Sequence, residues 1–401
     1  MSRPPQVLLA LNAGSSSVKL ALYRIESGQA RAFAHGLLDL QRQPLALVLH
    51  GAGAPGERPL ANPVQWPIAA PITDDLHEVV DSLLAALEAH GELGEIAAAG
   101  HRVVHGGSEF HGPVRIDAAT LAAIDALTPL APLHQHHSLR LIRALRHLRP
   151  RLAQCASFDT AFHAHQDPLA RRFALPRELD AQGIRRYGFH GLSYAFIARQ
   201  LAARHPALGA GRVVAAHLGN GASLCAMSNG RSVDSSMGFS TLDGVPMGTR
   251  CGALDAGVVL HLLQQRGMSA HDVEDLLYHR SGLLGVSGSS ADVRSLEASA
   301  EPAAREALDL FALRVAGEAA RLATTLGGLD ALVFTAGVGE HDARLRAAVA
   351  ARLAWLGAEI DPGANARHAE LLHSAASRVA LLVLATDEEQ VIADESLALL
   401  G

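Results

Sequence analysis

The 401-residue sequence predicts an α/β protein built from two domains of like topology. Three observations carry that reading. Towards the C-terminus apolar strands alternate with helical segments, as in α/β folds. An apolar strand, a small-residue turn and a second apolar strand occur at LLALNAGSSSVKLALY (8–23) and return half a chain later at VVAAHLGNGASLCAMS (213–228). Duplication explains the return; chance recurrence of Gly/Ser turns between strands is the competing explanation. Finally, the length suits two or three domains, and 49% hydrophobic residues suffice for large cores.

In chain order, residues 6–12 (QVLLALN) form a buried strand, GSSS a turn and VKLALYRI (18–25) a second strand. Residues 40–72 carry several prolines and read as irregular or edge structure. DDLHEVVDSLLAALEAH (74–90) has helical apolar spacing. A strand ends at HRVVHGG (101–107), a helix covers about 117–127, and the turn TPLAPLHQ (128–135) leads to a basic helix at 138–149. CASFDTAFH (155–163) is a strand end with a polar turn. DALVFTAGVGEHDARLRAAVAARL (330–353) reads strand, Gly turn, helix; RVALLVLATDEEQVIADESLALL (378–400) reads strand, acidic turn, helix.

Composition excludes several classes. The net charge is −6 and no basic block stands out, which argues against nucleic acid as a partner. Apolar runs fall short of a membrane span, and the N-terminal segment leads into a polar turn, so neither a membrane anchor nor a signal peptide is expected. Three distant cysteines (Cys155, Cys225, Cys251) suit a reducing, cytoplasmic setting. Lys19 is the only lysine beside 33 arginines. It is either a survivor of compositional drift or a position that needs a compact ammonium.

Phosphate chemistry is suggested by three turns. In NAGSSSVK (12–19) consecutive small residues can face backbone N–H groups towards an anion, Lys19 can reach a phosphate, and Asn12 can position a metal ligand. In HLGNGAS (217–223) Gly219 and Gly221 permit close backbone approach, and Asn220 and Ser223 add donors. AGVGEH (336–341) follows a strand and opens a helix. Each is also explicable as an ordinary turn. GAGAPG (51–56) fits GxGxxG, but the proline-rich ERPLANPVQWP that follows excludes a dinucleotide site. HQHH (134–137) and HAH (163–165) have metal-like spacing, yet 22 histidines make such clusters common, and no zinc site is expected. Arg102, Asp159, His190 and Arg250 stand at strand ends or in Gly-rich loops, where α/β proteins place sites. Two arginines, an acid and a histidine beside phosphate turns suit phosphoryl transfer.

Taken together, LNAGSSSVKL, GHRVVHGG, APLH, FDTAFH, RRYGFHGLS, AHLGNGAS, DSSMGF, MGTR, ADVRSL, FTAGVGEH and TDEE resemble the motifs of the acetate/propionate/butyrate kinase family, in family order from about residue 8 to 395. The resemblance implies the actin-like (sugar kinase/Hsp70/actin) fold: two duplicated ribonuclease H-like α/β domains with a nucleotide cleft. Residues 1–158 plus 389–401 would form the acyl-substrate domain and 159–388 the nucleotide-binding domain. It further implies a cytoplasmic homodimer that uses ATP/ADP with Mg²⁺ (Mn²⁺ as a substitute) to interconvert acetate and acetyl phosphate. Asn12 and Glu388 would support the metal. Lys19, His217, Leu218, Gly219, Asn220 and Gly221 would line the phosphate side. Asp292, Val293, Arg294, Gly337, Val338, Gly339, Glu340 and His341 would contact adenosine. Arg102 would bind the carboxylate, and Val104, Leu133 and Phe189 the methyl group. Asp159 would position metal and substrate, while His190 and Arg250 stabilise the transition state.

The chemistry is coherent. A carboxylate is already a nucleophile at pH 7, and the difficulty is bringing one anion onto another. Bidentate arginines offset that repulsion, which favours direct in-line transfer over a covalent intermediate. Departures from the family pattern are Ser240-Thr241 in place of Thr-Pro, Ala253 and Ala256 in RCGALDAG, and the APLHQ, GEH and TDEE variants. They bear on acyl preference, so a propionate or other short-chain acyl kinase is the nearest alternative. An actin-like ATPase or scaffold without acyl transfer is the alternative of another class, and it has no use for Arg102.

Overall fold

Residues 6–14, 17–51, 64–73, 75–89 and 95–400 are described by a computed structural model. They fall into two units, Met1–Ala161 with Asp387–Gly401, and Phe162–Thr386. Asp159 and Glu388 belong to the first unit. The reason is packing: the Asp159 amide still bonds to Val103 O in the first sheet, and Glu388 opens a helix that lies on that sheet.

The first unit is an eight-stranded sheet. Its strands are β1 (Gln6–Ala13), β2 (Ser17–Glu26), β3 (Gln29–Asp39), β4 (Ala46–Gly51), β5 (Val64–Pro67), β6 (Glu95–Val103), β7 (Val114–Arg115) and β8 (Ala153–Phe158), in the order β5-β4-β3-β2-β1-β6-β8-β7. β1 is apolar along nearly its whole length because both faces are covered. Val7, Leu9 and Leu11 pack with Val80, Leu83 and Leu84 of the helix His77–Ala89 and with Leu141 and Leu145 of the helix Gln135–Leu148. The helix Glu388–Leu400 packs on β1, β6 and β8. Gly100 allows this closeness: a Cβ there would stand 2.6 Å from Ile392 Cγ2 and 2.4 Å from Ser396 Oγ. The C-terminal helix thereby brings Glu388 and Glu389 to the end of β1.

The helix read at 117–127 spans Ala118–Ala126, capped by Asp117 accepting from the Thr120 amide at 2.7 Å. The basic helix read from 138 starts a turn earlier, at Gln135. Residues 40–72 contribute β4 and the edge strand β5. Ser15 and Ser16 of the first turn, and residues 52–56 of GAGAPG, lie outside the described residues.

The second unit has β9 (Arg212–Leu218), β10 (Ala222–Ser228), β11 (Arg231–Ser235), β12 (Ala331–Thr335) and β13 (Ala380–Val383), ordered β11-β10-β9-β12-β13. Tyr194, Ile197 and Leu201 of the helix Gly191–Arg204 pack against Val213, Ala215, Cys225 and Met227. The order and sense match β3-β2-β1-β6-β8: an antiparallel meander of three, then two strands parallel to its first. The hairpins that resembled each other in sequence occupy equivalent places in two ribonuclease H-like cores, the duplicated topology of the actin-like fold. Among the described residues no helix is long and apolar enough to cross a membrane.

Candidate active site

One polar cluster stands at the strand ends of the first unit. Arg102, the penultimate residue of β6, donates from Nε to both Asp159 oxygens at 3.1 Å and from Nη2 to Oδ2 at 2.5 Å. Its Nη1 donates to Asn12 Oδ1 at 3.2 Å. The Asn12 amide in turn donates to Glu388 Oε2 at 2.9 Å and Glu389 Oε1 at 3.1 Å, so its orientation is fixed by partners on both sides. Burial raises the Asp159 carboxyl from its ordinary value, against the pull of Arg102. Burial also opposes the Arg102 charge, but Asp159, with Glu388 and Glu389, more than offsets this and holds the guanidinium protonated. Burial and the neighbouring Glu388 push Glu389 up. Lys19 is exposed, directly opposite Asn12 across β1 and β2, and its charge favours the Glu389 carboxylate. Val104 is buried just beyond β6, and Leu133 is half-buried before the helix Gln135–Leu148.

A second cluster forms in the other unit. His190 caps the helix Gly191–Arg204 with a left-handed backbone, φ +56°. Its Nδ1 lies 2.8 Å from Ser223 Oγ, which also meets Tyr194 OH at 2.5 Å. The ring stacks on His217 with centroids 4.2 Å apart, and His217 Nδ1 is 2.8 Å from Ser193 Oγ. Arg250 is anchored by Nη1 donating to Thr241 O at 2.9 Å. Both side chains converge on the β9–β10 turn: a Cβ on Gly221 would be 3.4 Å from Arg250 Nη2 and 3.4 Å from His190 Nε2. Two side-chain nitrogens therefore face one glycine in a turn that resembles a phosphate cradle. Buried Phe189 precedes His190, and its carbonyl lies 3.0 Å from His163 Nε2.

Beside this turn a cavity of about 230 Å³ is lined by Gly219, Asn220, Met247, Asp292, Val293 and Val338, among others. It joins three of the sequence motifs. Asp292 caps the short helix Val293–Glu297, Arg294 projects into solvent, and Gly337 has open space around it. AGVGEH is itself a helical turn, Ala336–His341, entered through Ala336 at φ +64°. Glu340 Oε1 accepts from the Thr386 amide at 3.3 Å, and His341 lies edge-on to His368.

In HQHH the working residue is Gln135, which accepts from the His105 amide at 3.1 Å and donates to the His105 carbonyl at 3.0 Å. In FDTAFH, His163 lies 2.8 Å from Ser232 Oγ, and burial pushes it down to about 4. Among the described residues no three His, Cys, Asp or Glu side chains are grouped to hold a metal ion. Tyr194, Leu283 and Phe311 escape sequence reasoning, while Ser193, Met247 and Glu389 lie within RRYGFHGLS, MGTR and TDEE with no role given to them.

The acetokinase family profile matches residues 7–394. The chain is 47% identical over 393 residues to the acetate kinase of Rhodopseudomonas palustris (strain TIE-1), covering 96% of each protein. Its structure is similar to that of a propionate kinase from Francisella tularensis, with TM-score 0.87 and 35% identity over 97% of this chain and 98% of that one. It is also similar to Porphyromonas gingivalis acetate kinase, with TM-score 0.84 and 31% identity over the full length of both.

Proposed function

This chain belongs to the acetokinase family, and on that premise we propose that it reversibly transfers the terminal phosphoryl group of ATP to acetate, giving acetyl phosphate and ADP. The observation that carries the reading is the convergence of Arg250 Nη2 and His190 Nε2 on Gly221, at the turn between β9 and β10.

Arg102 takes the acetate carboxylate and lowers the repulsion between the two anions. A carboxylate oxygen attacks the terminal phosphorus, the bond to the bridging oxygen breaks, and its electron pair leaves with ADP. No proton moves, so no strong base is needed. His190 and Arg250 meet the charge on the equatorial oxygens; removing one such donor costs about 3 to 4 kcal/mol of barrier stabilisation. Ser223 and Tyr194 hold the His190 ring and Ser193 holds His217, so the donors are fixed before substrate arrives. Lys19, with His217 to Gly221, serves the phosphates. Asp292 to Arg294 and Gly337 to His341 serve adenosine, a role supported by the cavity that Asp292, Val293 and Val338 share. Val104, Leu133 and Phe189 take the methyl group.

The hard oxygen donors of Glu388 and Asp159 fit Mg²⁺, which is commonly held by one or two carboxylates together with substrate phosphates. Asn12 orients Glu388 through its amide N–H. When bound, the ion would neutralise phosphate charge. The resemblance also implies a homodimer; the helix Ala256–Gln264, with no buried residue and Val258 and Leu260 41% and 52% exposed, supports it.

A coupled assay with ATP, Mg²⁺ and acetate, propionate or butyrate tests the activity. The highest kcat/KM is expected with acetate. A large preference for propionate would replace the substrate, and ATP hydrolysis without any acyl phosphate would overturn the reading.

A further inference from the structure

Among the described residues Arg346 is the largest fully buried side chain, at 0% exposure. It stands on the helix Ala343–Arg352, just after the turn Ala336–His341. All five of its N–H donors are used. Nη1 donates to Gly339 O at 2.9 Å and Glu340 O at 2.8 Å. Nε donates to Asn365 Oδ1 at 2.8 Å, and Nη2 to Asn365 O at 3.1 Å and His368 Nδ1 at 2.9 Å. The acceptors are three backbone carbonyls, an amide oxygen and an imidazole nitrogen, and the nearby Asp342 carboxylate favours the charge. Asn365 is itself fixed by donating to Ala343 O at 2.7 Å.

A buried guanidinium with no carboxylate among its hydrogen-bond acceptors is a costly way to fill a core, since an apolar side chain of similar volume avoids the desolvation. What it does here is specific. Two donors grip consecutive carbonyls, Gly339 and Glu340, that a helical turn of six residues leaves without helical partners. The positive charge also sits at the carbonyl end of that turn, where the backbone dipole favours a cation. The turn begins at a strained Ala336, φ +64°, so its path needs an external hold. Val338, within the gripped turn, lines the cavity beside Asn220 and Asp292.

We infer that Arg346, braced by Asn365 and His368, is a positioning residue for nucleotide: it fixes the Ala336–His341 turn in the shape that receives the adenosine end of ATP. The inference rests on the assignment of that turn to nucleotide. Lysine at 346 keeps the charge but cannot reach five acceptors in a planar fork.

The test is Arg346→Lys in the full-length protein, assayed with ATP, Mg²⁺ and acetate, together with calorimetric titration of ADP. The KM for ATP and the Kd for ADP are expected to rise about tenfold or more, while the KM for acetate and kcat at saturating ATP stay near wild type. Asn365→Ala, which removes the Nε acceptor together with the Asn365 bond to Ala343 O but leaves the guanidinium in place, should give a smaller rise of the same kind and answers the question if Arg346→Lys does not fold. A folded variant of either kind with unchanged ADP affinity, or with both KM values rising together, would overturn the inference. Failure of the wild type to phosphorylate acetate would instead sink the proposed function, and the ADP titration remains readable in that case.

Discussion

Asp159, with its side chain 1% exposed, accepts three hydrogen bonds from Arg102 at 2.5 to 3.1 Å. The arginine assigned to the substrate carboxylate is thus also the counter-ion of a buried acid. Arg102→Ala should then fail in two ways. Breaking a buried pair by removing one partner costs about 3 to 5 kcal/mol of stability, and acetate turnover should collapse. Arg102→Ala/Asp159→Asn removes the stranded charge, so denaturant midpoints should recover in the double variant while activity does not. Equal midpoints in the single and double variants would show that the pair has no structural weight.

Lys19 faces Asn12 across the β1–β2 hairpin, exposed and within electrostatic range of Glu389. Lys19→Arg keeps the charge but replaces a compact ammonium with a broad planar group. The variant should fold normally, and kcat/KM for ATP should fall by about tenfold or more, as when a point contact to phosphate is misplaced. Wild-type kinetics would return Lys19 to a remnant of arginine-rich composition.

The duplicated hairpins were legible because each combines two apolar strands with a small-residue turn, a local pattern that survives in sequence. The residues proposed for the site stood out for a related reason: Asn12, Arg102, Asp159, His190 and Arg250 interrupt apolar or Gly-rich runs. What supports them was not. Ser193, Glu389 and Arg346 act through contacts closed by the fold, and a serine on a helix or an arginine in an Arg-rich helix carries no local mark. The acidic turn before the last helix was visible, yet its attachment to the first sheet depends on Gly100 meeting Ile392 and Ser396, a contact between residues far apart in the chain.

Gly221 offers a test of the His190–Arg250 convergence. A methyl group there would meet both donors at ordinary van der Waals distance, so Gly221→Ala should leave thermal stability close to wild type. It would nonetheless fill the space beside the two donors, and kcat should fall by about tenfold to a thousandfold, the range for losing one such stabilising contact. A stable variant with undiminished kcat would place the transferring group elsewhere.

Stability should decline between pH 6.5 and 4 for a reason that does not involve the chemistry. Burial pushes His101, His105 and His163 each down to about 4. The folded state keeps these imidazoles neutral, whereas the unfolded chain protonates them near pH 6.5, so unfolding takes up protons in this window and stability falls as pH falls. Each contributes about 1.4 kcal/mol per pH unit where the two states differ by a full proton. In His163→Gln, urea midpoints measured from pH 7 to 4.5 should fall less steeply than wild type by about one proton's worth. Parallel curves would mean that His163 is protonated in the native state as well.

Thr241 marks the departure from the family pattern closest to the chemistry. Its carbonyl anchors Arg250 at 2.9 Å, and the residue is only 9% exposed. The anchor belongs to the backbone, so substitution at 241 can alter the wall of the site without releasing the arginine. Thr241→Val exchanges a hydroxyl for a methyl at nearly constant shape and makes that wall more apolar. Because a methylene is worth only about 1 to 3 kcal/mol in such a pocket, the ratio of propionate to acetate kcat/KM should rise, but by no more than about 10- to 200-fold. The KM for ATP should not move, since the change leaves the cavity lined by Asn220, Asp292 and Val338 intact. Thr241→Pro, the residue usual in the family, alters shape as well as polarity; agreement between the two variants would assign the effect to the lost hydroxyl, and divergence to the ring. If neither variant changed the acyl ratio while both retained full turnover, residue 241 would not border the acyl group, and the basis of substrate preference would have to be sought at Val104, Leu133 and Phe189.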